Sequence, residues 1–187
     1  MTNRGHRSVV CGLILAVLSF VAGCAAQPRD DSAGPKTVIF LDTGNTGRSV
    51  MSEEVARQFL AAKGWTDITA LGRGVKVNPA NIAPEKYAVE LLRARGIDVS
   101  THVATQLTAA EAESATIILP VSFKNLGQVI TFQPPTRGKS FLLSDYAVGK
   151  PEDIEDAWGK DLPAYQEALA QIDSYVPAAL AKIHAGR

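Results

Sequence analysis

Eight consecutive residues, Asp42-Thr-Gly-Asn-Thr-Gly-Arg48-Ser49, bring together the side-chain and backbone types needed to hold an oxyanion. Gly44 and Gly47 let the backbone curl so that successive N–H groups converge into a nest. Arg48 adds a planar cation that can donate two bonds to phosphate-type oxygens. An apolar, β-branched run precedes the segment and an amphipathic stretch follows it, which puts the nest at a helix N-terminus. Unpaired amides and the helix dipole favour negative charge there. The same residue types also build a plain strand-to-helix turn with a surface arginine, and the loop alone does not separate the two.

The flanking elements must position this loop. Thr37-Val-Ile-Phe-Leu41 reads as a central parallel strand buried on both faces. Residues 49–63 read as a helix with Val50, Val55, Phe59 and Leu60 on one side and Gly64 as its stop. A second strand is expected over 67–71. A second helix is expected over 84–96, with Ala88, Leu91 and Leu92 inward and a Gly- and Asn-rich loop before it. Residues 108–113 form a helix or turn, 116–119 a third strand, 123–129 a short helix and 140–143 a fourth strand. Tyr165, Leu169, Ile172, Tyr175 and Val176 mark a closing helix over 162–184. Strand alternating with helix predicts an α/β fold with a parallel sheet.

The run VIFLDTGNTGRSVMSEEVAR resembles the active-site segment of the low-molecular-weight protein tyrosine phosphatase family, usually written C-T-G-N-T-C-R-S-P-M-A-E. The similarity continues through Gly72-Arg73-Gly74, through Arg95-Gly-Ile-Asp-Val-Ser-Thr-His-Val-Ala-Thr-Gln-Leu107, and through Asp153-Ile-Glu-Asp-Ala-Trp-Gly159, in the family's order and spacing. The resemblance implies a flavodoxin-like, three-layer α/β/α fold over residues 36–187. Its sheet would have four parallel strands, with the loop near the topological switch point. Within the oxyanion-binding loop (Thr43, Gly44, Asn45, Thr46, Gly47, Arg48 and Ser49), the resemblance makes Arg48 the phosphate-binding arginine. It makes Ser49 the hydroxyl that supports the nucleophile and Asn45 the residue that holds the curl. Asp156 matches the general acid, although Ala157 stands where the family has proline, and Trp158 falls at an aromatic position at the pocket mouth.

Each assignment has a plainer reading beside it. Asp156 belongs to an acidic run with Glu152, Asp153 and Glu155 that also suits a solvated turn, and Trp158 alone suits packing. His102 reads as a local cap or hydrogen-bonding group, and His184 as a partner for a helix C-terminus. Neither is accompanied by further ligands at metal-binding spacing, so no metal and no cofactor is implied.

The loop departs from the family at its chemical centre. The family's thiolate position is Asp42 and its second loop cysteine is Gly47, while the chain's two cysteines are Cys11 and Cys24. No thiol lies in the domain to attack phosphorus, which excludes cysteine-phosphatase chemistry. Three readings remain. In the first, Asp42 partly occupies the amide nest itself, giving a pseudoenzyme. In the second, Asp42 attacks phosphorus and Asp156 is the acid; such sites generally use Mg²⁺, and the loop offers no evident second carboxylate for it. In the third, the domain recognises phosphate or a phosphorylated or sulfated partner through Arg48 and Trp158 without turnover. Residues 40–46 also resemble the first motif of haloacid-dehalogenase-type phosphatases, with Gly44 in place of their second Asp, and the phosphate loop of actin-like kinases. The downstream segments favour the tyrosine phosphatases over both.

The N-terminus reads as an address. Arg4 and Arg7 precede an apolar stretch over 9–22, the layout of a signal peptide, and Val21-Ala22-Gly23-Cys24 resembles a bacterial lipobox. The expected organisation is a signal peptide over 1–23, a lipidated Cys24 beginning a tether over 24–35, and the domain over 36–187. A generic signal with a chance cysteine and an uncleaved anchor are the alternatives. The resemblance implies export and lipid anchoring. Ala25 after the cysteine favours the periplasmic side of the outer membrane if the source is Gram-negative. Lys plus Arg and Asp plus Glu each number 19, and removing 1–23 takes away two basic residues, leaving a formal charge of −2. No broad basic surface for nucleic acid is expected from that balance.

Overall fold

In the computed structural model, residues 1–2 and 34–186 are described. The expected signal peptide beyond residue 2, the expected lipidation site Cys24 and nearly all of the expected tether lie outside the described residues. No helix among the described residues is long and apolar enough to cross a membrane.

Strand β1 (Lys36–Asp42) is the centre of a three-stranded parallel sheet of order β2-β1-β3, with β2 spanning Ile68–Gly74 and β3 Ile117–Pro120. Val38, Ile39, Phe40 and Leu41 have no exposed surface, because each lies between paired strands and under a helical layer. Alternation along β1 divides the core. Val38 and Phe40 face one layer, where they meet helices α1 (Arg48–Lys63), α2 (Lys86–Arg93), α5 (Leu143–Val148) and α6 (Leu162–His184). Ile39 and Leu41 face the other, against α3 (Ala109–Ser114) and α4 (Phe123–Phe132). The result is the three-layer α/β/α architecture, with β1 delivering the loop at its C-terminal end between the layers.

Local chemistry sets the element ends. Gly64 stops α1 at φ 64°, a left-handed conformation that glycine adopts without a Cβ penalty. Thr108 and Glu111 form a reciprocal capping box on α3. The second helix is shorter than the expected 84–96, and the second strand runs three residues beyond 71.

The expected fourth strand over 140–143 is not formed. The chain there makes a single parallel bridge between Ser140 and Ile118, and α5 begins at Leu143. Leu143 and Ala147, one turn apart, are both buried in the first layer, so a helical start buries them better than continued pairing would. A four-residue apolar run carries no period that distinguishes these outcomes. Pro134–Gly138 add a short 3₁₀ turn before the bridge.

Candidate functional site

Residues 43–47 leave the buried end of β1 and curl into the N-terminus of α1. Asn45 sits at φ 56°, the one left-handed non-glycine residue among those described, and its side chain has no exposed surface. Three contacts hold it there. Its Nδ2 donates to Ser49 Oγ at 2.9 Å, and its Oδ1 accepts from the Thr105 amide at 2.8 Å. Its carbonyl accepts from His102 Nε2 at 2.9 Å. Asparagine tolerates this conformation better than most residues, and here its amide repays the strain by tying two distant segments together.

The loop lies across β2. A Cβ at Gly72 would stand 2.8 Å from the Ser49 carbonyl oxygen, and one at Gly74 would stand 3.0 Å from the Gly44 carbonyl carbon. The Gly-Arg-Gly segment is therefore a requirement of close backbone approach. On the other side, the fully buried Asn125 at the start of α4 donates to Thr43 Oγ1 at 2.9 Å.

Asp42 is 4% exposed, and both of its carboxylate oxygens are taken by the loop that follows. Oδ1 accepts from the Asn45 amide at 2.5 Å and Oδ2 from the Ser49 amide at 3.0 Å. The Ser49 hydroxyl, expected beside the nucleophile position, instead accepts from Asn45; it is the Ser49 backbone that reaches Asp42. Among the described residues, the amides of Thr46, Gly47 and Arg48 donate to no protein acceptor.

Arg48 spans from the helix start to the acidic loop. Its Nη1 donates to the Ile154 carbonyl at 3.1 Å, and its Nη2 lies 3.2 Å from Asp156 Oδ1. The Asp156 side chain is 65% exposed, so the pair is solvent-screened and easily exchanged for another anion. Asp153 anchors this loop by accepting from the Phe123 amide at 2.7 Å at the α4 N-terminus. Tyr175, whose hydroxyl donates to Glu152, has its titration pushed up to about 12, first by that hydrogen bond and then by burial.

Together these residues surround an open cavity of about 280 Å³. Asp42, Thr43, Gly44, Thr46 and Arg48 line its floor, Asp156 and Glu85 its walls, and the exposed Trp158 its mouth, with Lys76 and Lys124 also lining it. Three carboxylates share the cavity. Among the described residues, however, no group of three His, Cys, Asp or Glu side chains is arranged to hold a metal ion.

Several of these groups escaped the linear reading. His102 was expected to bond locally and instead reaches across 57 positions to the loop. His184, in the last turn of α6, stacks on Trp65 at 3.9 Å and approaches Asp67 at 3.4 Å. Glu85 and Lys124 carry no motif that could have marked them, because only the fold brings them to the loop.

A parallel α/β sheet with an amide nest and arginine at the end of its central strand defines a class of oxyanion-binding, phosphatase-type folds. The sequence profile of the low molecular weight phosphotyrosine protein phosphatases matches residues 37–187, and the chain belongs to that family. A probable low molecular weight protein-tyrosine-phosphatase, EpsP, of Ralstonia solanacearum is 31% identical over 150 residues, covering 80% of this chain and 97% of that protein. A protein-arginine-phosphatase of Bacillus subtilis is 28% identical over 136 residues, covering 73% of this chain and 89% of that protein. Among solved structures, the low molecular weight protein tyrosine phosphatase of T. tengcongensis superposes with a TM-score of 0.73 at 28% identity, covering 79% of this chain and 99% of that one.

Proposed function

We propose that this protein is a non-hydrolytic member of the family, a lipid-anchored domain whose loop binds phosphate or a phosphorylated ligand without turning it over. One observation carries this reading: both oxygens of Asp42 accept backbone amides of the loop. A carboxylate held in this way satisfies the acceptor role at the base of the cradle. To attack phosphorus, the oxygen that forms the new bond would give up its loop amide and leave a buried N–H unsatisfied, a cost of about 1–3 kcal/mol. Among the described residues the amides of Thr46, Gly47 and Arg48 have no protein acceptor, and Thr46 and Arg48 line the cavity, which supports binding without chemistry. Residues 21–24 support lipid attachment at Cys24, and Ala25 supports retention at the outer membrane on its periplasmic side.

The test is aryl-phosphate hydrolysis by the purified protein, its Asp42→Cys and its Asp42→Ala variants, with and without Mg²⁺. The wild type is expected to be inert under both conditions. Hydrolysis by wild type that disappears in Asp42→Ala would instead establish Asp42 as a nucleophile, with Asp156 as its acid.

A further inference from the structure

Glu85 belongs to none of the motifs described above, yet its carboxylate is built into the wall of the cradle. Its backbone amide donates to the Thr46 carbonyl at 2.8 Å, and its Oε1 accepts from Thr46 Oγ1 at 2.8 Å. Its Oε2 accepts from the Tyr165 hydroxyl at 2.5 Å. Thr46 and Tyr165 are 6% and 4% exposed, so the clamp is rigid. Burial, reinforced by the hydrogen bond to Glu85, pushes Tyr165 titration upward and keeps its hydroxyl a donor.

The carboxylate lies over Gly47. A Cβ there would stand 2.6 Å from Oε2 and 2.9 Å from Cδ, so Glu85 fills the volume that a side chain at position 47 would occupy. Among the described residues no cation lies within ion-pair distance of it. Both clamping groups are neutral hydroxyls, which fix the charge without cancelling it. Glu85 lines the same cavity as Asp42, Asp156 and Arg48.

We propose that Glu85 is a specificity-determining residue of the cradle, a second fixed carboxylate that weakens binding of phosphate-type dianions independently of Asp42. The proposal rests on the loop being an anion cradle and adds to it. A fixed negative charge on the wall of a partly dehydrated cavity opposes an incoming dianion through space, and that opposition is screened by salt. Ligands carrying less charge at the cradle would be rejected less. On this view, the change at Asp42 alone does not set the anion affinity.

The experiment is calorimetric titration of inorganic phosphate into the full-length protein and three variants, Glu85→Gln, Asp42→Ser and the double variant, at low and high KCl. Glu85→Gln preserves shape and can still accept from Tyr165. It is expected to tighten phosphate binding about tenfold at low salt, with the gain shrinking at high KCl and repeated in the Asp42→Ser background. Glu85→Asp keeps the charge and is expected to stay within about twofold of wild type, whereas a packing role for Glu85 would make the shortened Glu85→Asp shift the affinity and leave the isosteric Glu85→Gln unchanged. If Asp42→Ser gains affinity while Glu85→Gln changes nothing, or if its gain is insensitive to salt, the role of Glu85 is overturned and the cradle stands. If none of the proteins binds phosphate, the cradle reading falls as well.

Discussion

Replacing Asp42 by alanine removes the acceptor for two buried backbone amides, those of Asn45 and Ser49. Leaving a buried N–H unsatisfied costs about 1–3 kcal/mol, so the pair stands to lose about 2–6 kcal/mol. Part is returned, because the folded state no longer has to desolvate a carboxylate that is 4% exposed. A net loss of about 3 kcal/mol follows, which for a domain of this size lowers Tm by roughly 6–12 °C. An oxyanion is the natural replacement acceptor for the freed amides. Phosphate at a hundred times its Kd would restore about 2.7 kcal/mol to the variant and bring its Tm back near that of wild type. The assay is thermal and urea unfolding of both proteins, each with and without phosphate. Wild type should gain less from phosphate, because its own carboxylate already satisfies those amides. A variant that melts within about 2 °C of wild type, or that gains no more from phosphate than wild type does, would refute the self-occupied loop.

Two further predictions concern the anchor and the distant support of β2. Cys24 should incorporate labelled fatty acid and carry the protein into the membrane fraction of a lipoprotein-processing bacterium; a Cys24→Ser protein that labels equally would remove the anchor from the reading. Glu111 caps α3 and accepts from Arg73 on β2 at 2.7 Å. Burial alone would raise its carboxyl, but the Arg73 guanidinium and the Thr108 donors outweigh that and hold it below its ordinary range. A depressed carboxyl stabilises the fold at pH values above its unfolded titration near 4.5, and that contribution is lost as pH falls through the lower folded value. Glu111→Gln should therefore cost about 1 kcal/mol or less at pH 7, the ion pair being partly screened, and less at pH 3. Urea midpoints measured at both pH values check it, and a gap that stays constant would sink the assignment.

The loop is legible in the sequence because its information is local. The apolar run of β1, the glycine spacing, and the recurrence of Val50, Val55 and Leu60 before the Gly64 stop in α1 all act within about two dozen residues, where periodicity and capping rules hold. The closing helix was legible for the same reason, since its apolar positions recur at helical spacing over more than twenty residues. The fourth strand failed because four apolar residues fit a strand and a helix start equally well. What decided it was that Leu143 and Ala147 bury together against the first layer.

By itself, then, the sequence determined the strand-loop-helix unit, the presence of Arg48 in it, and the lack of a thiol in the domain to attack from its base. The tertiary structure decided which charges meet there. Arg48 pairs with Asp156 across 108 positions, Thr46 with Glu85 across 39, and Thr43 with Asn125 across 82. Such contacts depend on how the helices and loops at the C-terminal end of the sheet are brought together, which only packing specifies. Even the local bond from Asn45 to Asp42 needs the left-handed turn that His102 and Thr105 hold in place from a distant loop. The residue types are all present in the sequence, but the electrostatic character of the cradle arises only when the fold places carboxylates from three separate segments around one set of amides.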